Sequence, residues 1–468
     1  MEESFDLIVI GGGPAGTTVA TLMAREGKSV LLLEKEQFPR FHIGESITAF
    51  GFEAFKELGV YEELKEINEV KKKGLEFVTR EGNLPIYFFT DEPNEPDELP
   101  WAFQMARSKL DHVLLKNAGR NGVDVREKCL VKKVLFEDDK AVGVEYKDFR
   151  DGAGGEVCQA RARFVVDASG LAGIMNRQLR DNWYDDPLLE KKLAVFSHFR
   201  GDFEITNTDE DLNFKLCVHD NKRDWAWFLP VEKHVVSLGV VLSQKTAKEE
   251  SKERSREEIF YHYAKDIPYI DEFLQQPGLE CVEEFRMARD YSYRCKRFYG
   301  DGWAIVGDSA GFIDPVFSTG MLIAFNSSFD LVEALRKVLA GEENDIRPLE
   351  AYQKQAAYHF RLNSMLVYLF YVARLDHTRF GDPRYMWKNI EWAGWKYRLR
   401  FLGMVTRLAF KPQDTLRRWG EQVLFGNPEP GNVLADMFIM LADNYDAKHN
   451  RQARLRDAEE GPEEAAAA

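Results

Sequence analysis

Long apolar runs, paired cysteines and metal-ligand clusters are all missing from this sequence, and each absence excludes a class of protein. The apolar run from Met365 to Ala373 is well short of the ~20 residues that a membrane-spanning helix needs. The five cysteines are scattered without a CxxC pattern, which excludes a disulfide framework and a cysteine-based zinc site and is typical of reduced thiols. No cluster of histidines and carboxylates has the spacing of metal ligands. We therefore expect neither a membrane span nor a metal.

Basic residues are outnumbered by acidic residues. The chain has 63 Lys and Arg against 78 Asp and Glu, and its net charge is −15. An acidic chain binds nucleic acids and anionic membranes poorly. The first residues, Met1 to Ser4, are acidic and lack the basic region of a signal peptide. We expect a cytoplasmic protein whose partners include neither nucleic acid nor membrane.

The sequence opens with a β-α-β pattern. The apolar run Phe5–Ile10 is followed by a helical pattern over 15–26 and by a second apolar run over 29–33. A GxGxxG fingerprint between the first strand and the helix allows a tight turn, and the helix start offers free N–H groups to a pyrophosphate. An acid that ends the second strand can bind ribose hydroxyls. The predicted dinucleotide-binding residues are Gly11, Gly13, Ala15, Gly16 and Glu34. The alternative is an ordinary glycine-rich turn.

The chain of 468 residues is too long for one ordinary core, and its strand pattern changes along its length. Alternating strands between 192 and 284 predict an antiparallel sheet, after which Trp303–Val306 is again a short buried strand. We predict an α/β fold with a discontinuous GxGxxG domain, an antiparallel-sheet substrate domain and a helical C-terminal region. The expected boundaries are 1–190 plus 297–340, 191–296 and 341–449, followed by a disordered tail over 450–468.

A second glycine-acid pair suggests which dinucleotide is bound. Gly307-Asp308 follows the strand Trp303–Val306 and is similar to a segment of flavoprotein hydroxylase-like folds. The similarity implies FAD, with the Asp308 carboxylate on the ribityl chain, and Arg107 stands where the same folds contact the flavin chain. Judged from the residues alone, Asp308 could be a helix N-cap and Arg107 a surface arginine.

Four segments together resemble the flavin-dependent halogenases that act on phenols, pyrroles or carrier-tethered aromatic groups. They are Phe38–Ser46, Lys72-Lys73-Gly74 with Phe77, Trp225-Ala226-Trp227-Phe228-Leu229-Pro230, and Asp314–Gly320. The third resembles the WxWxIP signature, with Leu229 as a mild departure. The resemblance spans Phe5 to Ala324. Phe317 stands where tryptophan halogenases carry a glutamate, which argues against free tryptophan as the substrate.

The resemblance implies a reaction and a set of residues. Reduced flavin (FADH2) from a separate reductase, with dioxygen, would convert chloride or bromide into hypohalous acid, which reaches an aromatic substrate, free or tethered to a carrier protein, through a tunnel. The implied catalytic residue is Lys72, and the implied halide-binding residues are Thr319 and Gly320. The implied tunnel wall is Trp225, Trp227, Pro315 and Phe317, and the implied additional flavin contacts are Arg40, Ser46 and Met321.

Simpler interpretations of the same residues stay open. Lys72 lies in a run of three lysines, and such runs are usually solvated. Ser318 or Thr319 could cap a helix, and the two tryptophans could be core residues. At the level of function, a flavin monooxygenase shares the fold, and a geranylgeranyl-reductase-type flavoprotein or a non-enzymatic flavin-binding protein are further alternatives.

Overall fold

The computed structural model describes residues 3–48, 51–79, 82–87, 102–186, 189–203, 214–219, 224–289, 292–341 and 345–372. The ten helices of these ranges are α1 Pro14–Arg25, α2 Gly51–Leu58, α3 Tyr61–Ile67, α4 Arg107–Arg120, α5 Ile174–Gln178, α6 Gln244–Glu250, α7 Arg256–Lys265, α8 Pro268–Leu274, α9 Gly320–Val338 and α10 Leu349–Val372. Short 3-10 helices span Gly170–Ala172, Gly307–Ser309 and Pro315–Phe317.

The strands of the same ranges are β1 Glu3–Ile10, β2 Val30–Leu33, β3 Val70–Lys72, β4 Gly74–Thr79, β5 Gly82–Tyr87, β6 Ala102–Gln104, β7 Asp124–Arg126, β8 Cys129–Glu137, β9 Lys140–Asp148, β10 Glu156–Asp167, β11 Trp183–Tyr184, β12 Lys192–Arg200, β13 Lys215–Val218, β14 Trp225–Glu232, β15 Val235–Ser243, β16 Glu280–Cys281, β17 Arg286–Arg289, β18 Tyr293–Cys295, β19 Tyr299–Gly300, β20 Trp303–Ile305 and β21 Gly311–Phe312. The predicted helical region therefore contains α10, while 373–449 and the predicted tail, 450–468, lie outside the described residues.

The first sheet has the strand order β19-β20-β10-β1-β2-β7, and its central strands are parallel. Ile10 pairs with Asp167, and Asp167 pairs with Ile305, so β1, β10 and β20 end at one edge of the sheet. The apolar runs at these strands are buried on both faces, as parallel strands between helices require. Three loops, after Ile10, Asp167 and Ile305, consequently leave the sheet side by side, where α/β folds bind their ligands.

The second sheet is mostly antiparallel, with the order β16-β12-β15-β14-β13-β4-β5. It extends beyond the predicted range 191–296, because β4 and β5 join it through a parallel pairing of β4 with β13. One face packs against α7 and α8, and the other joins the main core of the first sheet. Alternation along β14 turns Trp225, Trp227 and Leu229 toward that main core. The predicted α/β fold with a second, antiparallel sheet is confirmed.

None of the helices within the described ranges combines the length and the apolar character that crossing a bilayer requires. In the same ranges no group of His, Cys, Asp and Glu side chains is arranged to hold a metal ion. All five cysteines fall within this part of the chain and are free.

Candidate active site

The GxGxxG turn places the N-terminus of α1 at the edge of the first sheet. Gly11 has a φ of +104°, and a Cβ on Gly16 would come within 2.0 Å of the Gly11 carbonyl oxygen, so neither position tolerates a side chain. A Cβ on Gly13, in contrast, would meet no atom within 4 Å, because this residue faces open space at the start of α1. The arrangement fits a pyrophosphate at a helix N-terminus.

Glu34 is buried behind this turn and makes two hydrogen bonds to backbone amides. Its Oε2 accepts from the N–H of Gly12 at 2.7 Å, and its Oε1 accepts from the N–H of Glu36 at 2.9 Å. The carboxylate is thereby fixed at the end of β2, beside the glycine turn. On the other side of α1, the Ser328 hydroxyl of α9 donates to the carbonyl oxygen of Ala324 at 2.7 Å and lies 3.2 Å from that of Ala15, so α9 packs directly against α1.

Arg40 and Arg107 meet at Asp111, a buried carboxylate on α4. Arg107 donates through Nε and Nη2 to both Asp111 oxygens, at 2.7 and 2.9 Å, and Arg40 adds a contact of 3.0 Å. Burial by itself would raise the pKa of Asp111, but the Arg107 guanidinium holds it below its usual range. Arg107 also donates to the carbonyl oxygens of Ile43 and Gly44, so it fixes the segment 38–48 against α4. Arg107 is therefore buried and is not a surface arginine.

Asp308 sits in the short 3-10 helix Gly307–Ser309 after β20. No described residue donates a hydrogen bond to its carboxylate, and it does not cap the helix, whose N-cap position is Val306. Burial raises the pKa of Asp308 to about 6, and the positive charge of Arg107 opposes that rise. Asp308 is half-buried at the sheet edge that also carries the glycine turn, and a carboxylate there can accept hydrogen bonds from the ribityl hydroxyls of FAD. The residues present therefore fit FAD.

Lys72 lies at the end of β3, and the residue is 1% exposed. Its Nζ donates to the Oγ of Ser46 at 2.6 Å and lies 4.9 Å from the centre of the Phe214 ring. Burial lowers the pKa of Lys72 to about 7. The structure therefore brings together two residues predicted separately, Lys72 and Ser46, and it excludes a solvated charge run at position 72.

The turn 314–320 connects the second flavin motif to α9. Ser318 is left-handed, with a φ of +56°, and Thr319 occupies the N-cap position of α9 without making a side-chain cap. Among the described residues no group accepts a hydrogen bond from the N–H of Thr319 or Gly320. Thr319, Phe317 and Met321 are buried, whereas Pro315 and Gly320 are exposed. The turn therefore presents free amides at the positive end of a helix dipole.

Trp225 and Trp227, called the tryptophan wall below, lie on the face of the second sheet that points toward the first. Trp225 and Trp227 are 3% and 8% exposed, and their ring centroids are 6.1 Å apart. Trp227 donates to Ser237 at 3.1 Å and lies against Gly239, where a Cβ would come within 2.2 Å of the indole. Both tryptophans are thus core residues by burial, which is compatible with a wall role.

Sequence reasoning missed several groups around this site. Asp167 accepts from the N–H groups of Ser169 and Met175 and from Ser309 beside Asp308, so it organises the third loop at the sheet edge. The Asp-x-Ser-Gly pattern at the end of a third buried strand could have revealed it. Glu45 and His198, which form a buried ion pair at 2.5 Å, carry no sequence signal that joins them.

Comparisons with known proteins agree with this geometry. A family model for the FAD binding domain matches residues 4–362. A tryptophan 2-halogenase of Chondromyces crocatus is 31% identical over 79% of this chain and 68% of its own length. A brominase of Pseudoalteromonas luteoviolacea, named for 1H-pyrrole-2-carbonyl bound to a peptidyl-carrier protein, is 30% identical over 75% of this chain and 82% of its own length. The structure of the myxobacterial chondrochloren halogenase CndH, described as a variant of the FAD-dependent halogenases, has a TM-score of 0.68 and 34% identity, with coverage of 80% and 83%. The chain therefore belongs to the FAD-binding domain family and, within it, to the flavin-dependent halogenases.

Proposed function

We propose that this enzyme uses chloride or bromide, reduced FAD and dioxygen to halogenate an electron-rich aromatic ring, and that Lys72 delivers the halogen. The observation that carries the proposal is the position of this lysine. Its ammonium is fully buried on β3, hydrogen-bonded to Ser46 in the segment that Arg107 holds against α4. Burial disfavours the charged form of the amine and thereby favours the neutral, nucleophilic form that halogen transfer needs.

FAD would be held by residues from all the flavin motifs. We assign the pyrophosphate to Gly11, Gly13, Ala15 and Gly16, the ribose to Glu34 and the ribityl chain to Asp308, and we assign supporting contacts to Arg40, Ser46, Arg107 and Met321. When bound and reduced, FAD would supply two electrons that reduce dioxygen to the oxidation level of peroxide. Halide would then be oxidised to hypohalous acid as the oxygen–oxygen bond breaks and the second oxygen leaves as water. As in the family that it resembles, a separate reductase would provide the reduced flavin.

We assign the halide to the amides of Thr319 and Gly320. Free N–H groups at the start of a helix favour an anion, and the burial of Thr319 limits competition from water. Trp225, Trp227, Pro315 and Phe317 would form the wall that keeps the aromatic substrate away from the flavin. Separation of this kind favours a diffusing oxidant over direct transfer of oxygen to the ring.

The Lys72 amine, hydrogen-bonded to Ser46, has two ways to act. Its neutral form can attack the halogen of hypohalous acid, so that an N–halogen bond forms, the halogen–oxygen bond breaks and water leaves with the displaced proton. Its protonated form can instead donate a hydrogen bond to the oxidant. Because burial lowers the pKa of Lys72 to about 7, the neutral amine is well populated near neutral pH.

We propose a phenol, a pyrrole or another electron-rich aromatic ring as the acceptor. One relative is named for a pyrrole on a carrier protein and another for tryptophan. The family resemblance argues against free tryptophan, because it implies a glutamate in tryptophan halogenases where this chain has Phe317. The exclusion of free tryptophan stays a prediction, as does the cytoplasmic location. A suitable panel therefore contains phenols, a carrier-bound pyrrole-2-carbonyl group and tryptophan.

The test supplies FAD-loaded protein with a flavin reductase, NADH, oxygen and bromide, then screens this panel by mass spectrometry. The proposal predicts a product in which bromine replaces hydrogen, and loss of at least 99% of that activity in Lys72→Met. Lys71→Met, which removes a lysine from the opposite side of the same strand, is the matched control.

A monooxygenase would give a different result in the same assay. It would add oxygen to the ring in the absence of halide, and its substrate would stimulate NADPH oxidation without a partner reductase. Either result would replace the halogenation proposal. Full halogenation by Lys72→Met would leave the halogenase assignment in place but refute the role of the lysine.

A further inference from the structure

A chain of hydrogen bonds connects the tryptophan wall to the turn 314–320. The indole N–H of Trp225 donates to the hydroxyl oxygen of Tyr371 at 2.8 Å, and the Tyr371 hydroxyl donates to Oδ2 of Asp314 at 2.9 Å. Oδ1 of Asp314 accepts from the N–H of Val316 at 3.1 Å. Tyr371 lies near the end of α10, so this helix joins the second sheet to the turn.

The direction of this chain is determined by its first member. An indole nitrogen can only donate, so the Tyr371 oxygen must accept from Trp225 and must direct its own proton to Asp314. Both Asp314 oxygens then act as acceptors, which is the arrangement that suits a carboxylate. Since Asp314 is 1% exposed, these bonds are made in a site where a lost partner is costly.

A second buried lysine completes the cluster. Lys192, the first residue of β12, is 1% exposed, and its Nζ lies 4.3 Å from the centre of the Tyr371 ring. It pairs with Glu190 at 3.0 Å and acts electrostatically on Asp314. Burial raises the pKa of Asp314, and the positive charge of Lys192 opposes that rise. The positive charge of Lys192 therefore stabilises the ionised form of Asp314, which burial alone would disfavour.

Asp314 is also the first residue of the turn 314–320. It caps the 3-10 helix Pro315–Phe317, after which Ser318 takes a left-handed conformation and α9 begins at Gly320. The direction in which the N–H groups of Thr319 and Gly320 point thus depends on how Asp314 is held. Only Tyr371 and Lys192, both distant in sequence, hold it from outside the turn among the contacts described here.

We propose that Tyr371 and Lys192 are positioning residues that hold Asp314 and thereby orient the amides of Thr319 and Gly320 toward a bound halide. The inference rests on the proposed function, because it takes the anion at this turn to be the halide substrate. Neither residue touches the anion in this account. Their effect should therefore appear in halide affinity much more than in the rate at saturating halide.

The experiment titrates sodium bromide into the oxidised, FAD-loaded protein and follows the flavin absorbance, which requires no knowledge of the acceptor. Tyr371→Phe keeps the ring and removes both hydrogen bonds. We expect its bromide dissociation constant to rise about tenfold, the scale of one lost hydrogen bond to a charged group. In the bromination assay, KM for bromide should rise by the same factor while kcat changes less than about twofold.

Tyr352→Phe is the matched control, because it also removes a buried hydroxyl hydrogen bond of α10, to the carbonyl oxygen of Ile305 at 2.5 Å. It should leave bromide affinity unchanged; an equal loss in both variants would mean that Tyr371 merely anchors the helix. Should Tyr371→Phe unfold, Lys192→Met provides the second measurement and should weaken bromide binding in the same direction.

The outcomes separate this inference from the proposed function. If the wild-type protein binds bromide and neither Tyr371→Phe nor Lys192→Met weakens that binding, the positioning role is refuted and the halogenase proposal stands. If the wild-type protein itself gives no bromide response, the halide assignment of the turn fails, and the inference fails with it.

Discussion

Replacement of Lys72 by methionine should stabilise the protein, and the gain should depend strongly on pH. The wild-type chain buries an amine whose pKa falls from 10.5 to about 7 on folding. Between these two values the unfolded chain binds a proton that the native state lacks, so wild-type stability rises as the pH rises. Methionine has a similar length and no charge, so Lys72→Met carries no such dependence.

The magnitude follows from the two pKa values. Linkage predicts that the wild-type protein gains about 3 kcal/mol relative to Lys72→Met when the pH is raised from 6.5 to 9.5. The advantage of the variant should thus be largest at pH 6.5 and should shrink by that amount at pH 9.5. Differences in packing between lysine and methionine cancel, because they are the same at both pH values.

The assay is urea unfolding of the FAD-loaded proteins at the two pH values and at one FAD concentration, followed by far-UV circular dichroism. Lys71→Met controls for the removal of a lysine from β3. A stability difference between wild type and Lys72→Met that is the same at both pH values would refute the argument, since it would mean that the ammonium is solvated in the native protein.

Further predictions concern the reaction, the cofactor and the segment 38–48. The kcat for bromination should rise with pH through about 7 and level off above it, because the neutral Lys72 amine is the reacting form; a pH profile over 6 to 9 that falls instead would favour the protonated amine. Asp308→Asn should weaken FAD binding by about tenfold, as measured by flavin fluorescence, whereas the exposed Asp301→Asn should not. His198→Gln should lower the free energy of unfolding more at pH 6 than at pH 9. Glu45 raises the pKa of His198 despite its burial, so the ion pair is charged at low pH and is lost as the pH rises. Urea unfolding at both pH values measures the two costs, and equal costs would mean that the pair is never charged.

The sequence predicts those parts of the fold whose residues lie close together along the chain and form a recognisable pattern. The GxGxxG turn, its flanking strands and Glu34 lie within one β-α-β unit, where spacing alone determines the geometry. Gly307-Asp308 could be placed beside that unit because a buried strand precedes it, and parallel strands of one sheet end at the same edge.

The parts that the sequence did not predict depend on long-range packing. The boundaries expected from the sequence place β4 and β5 in the first domain, but β4 pairs with β13 of the second sheet and β5 pairs with β4. The contact of Tyr371 with Trp225 joins residues 146 positions apart, and that of Glu45 with His198 joins residues 153 apart. No periodicity or motif encodes such pairs, which form only when helices and sheets pack.

The central proposal is that a halide binds at the turn 314–320 and that the Lys72 amine stays buried against Ser46. Diffraction from crystals of the FAD complex soaked in sodium bromide, recorded at the bromine absorption edge, tests it most directly. We expect an anomalous peak within hydrogen-bonding distance of the Thr319 and Gly320 N–H groups, with Lys72 still hydrogen-bonded to Ser46. An empty turn together with a Lys72 side chain directed into solvent would contradict it.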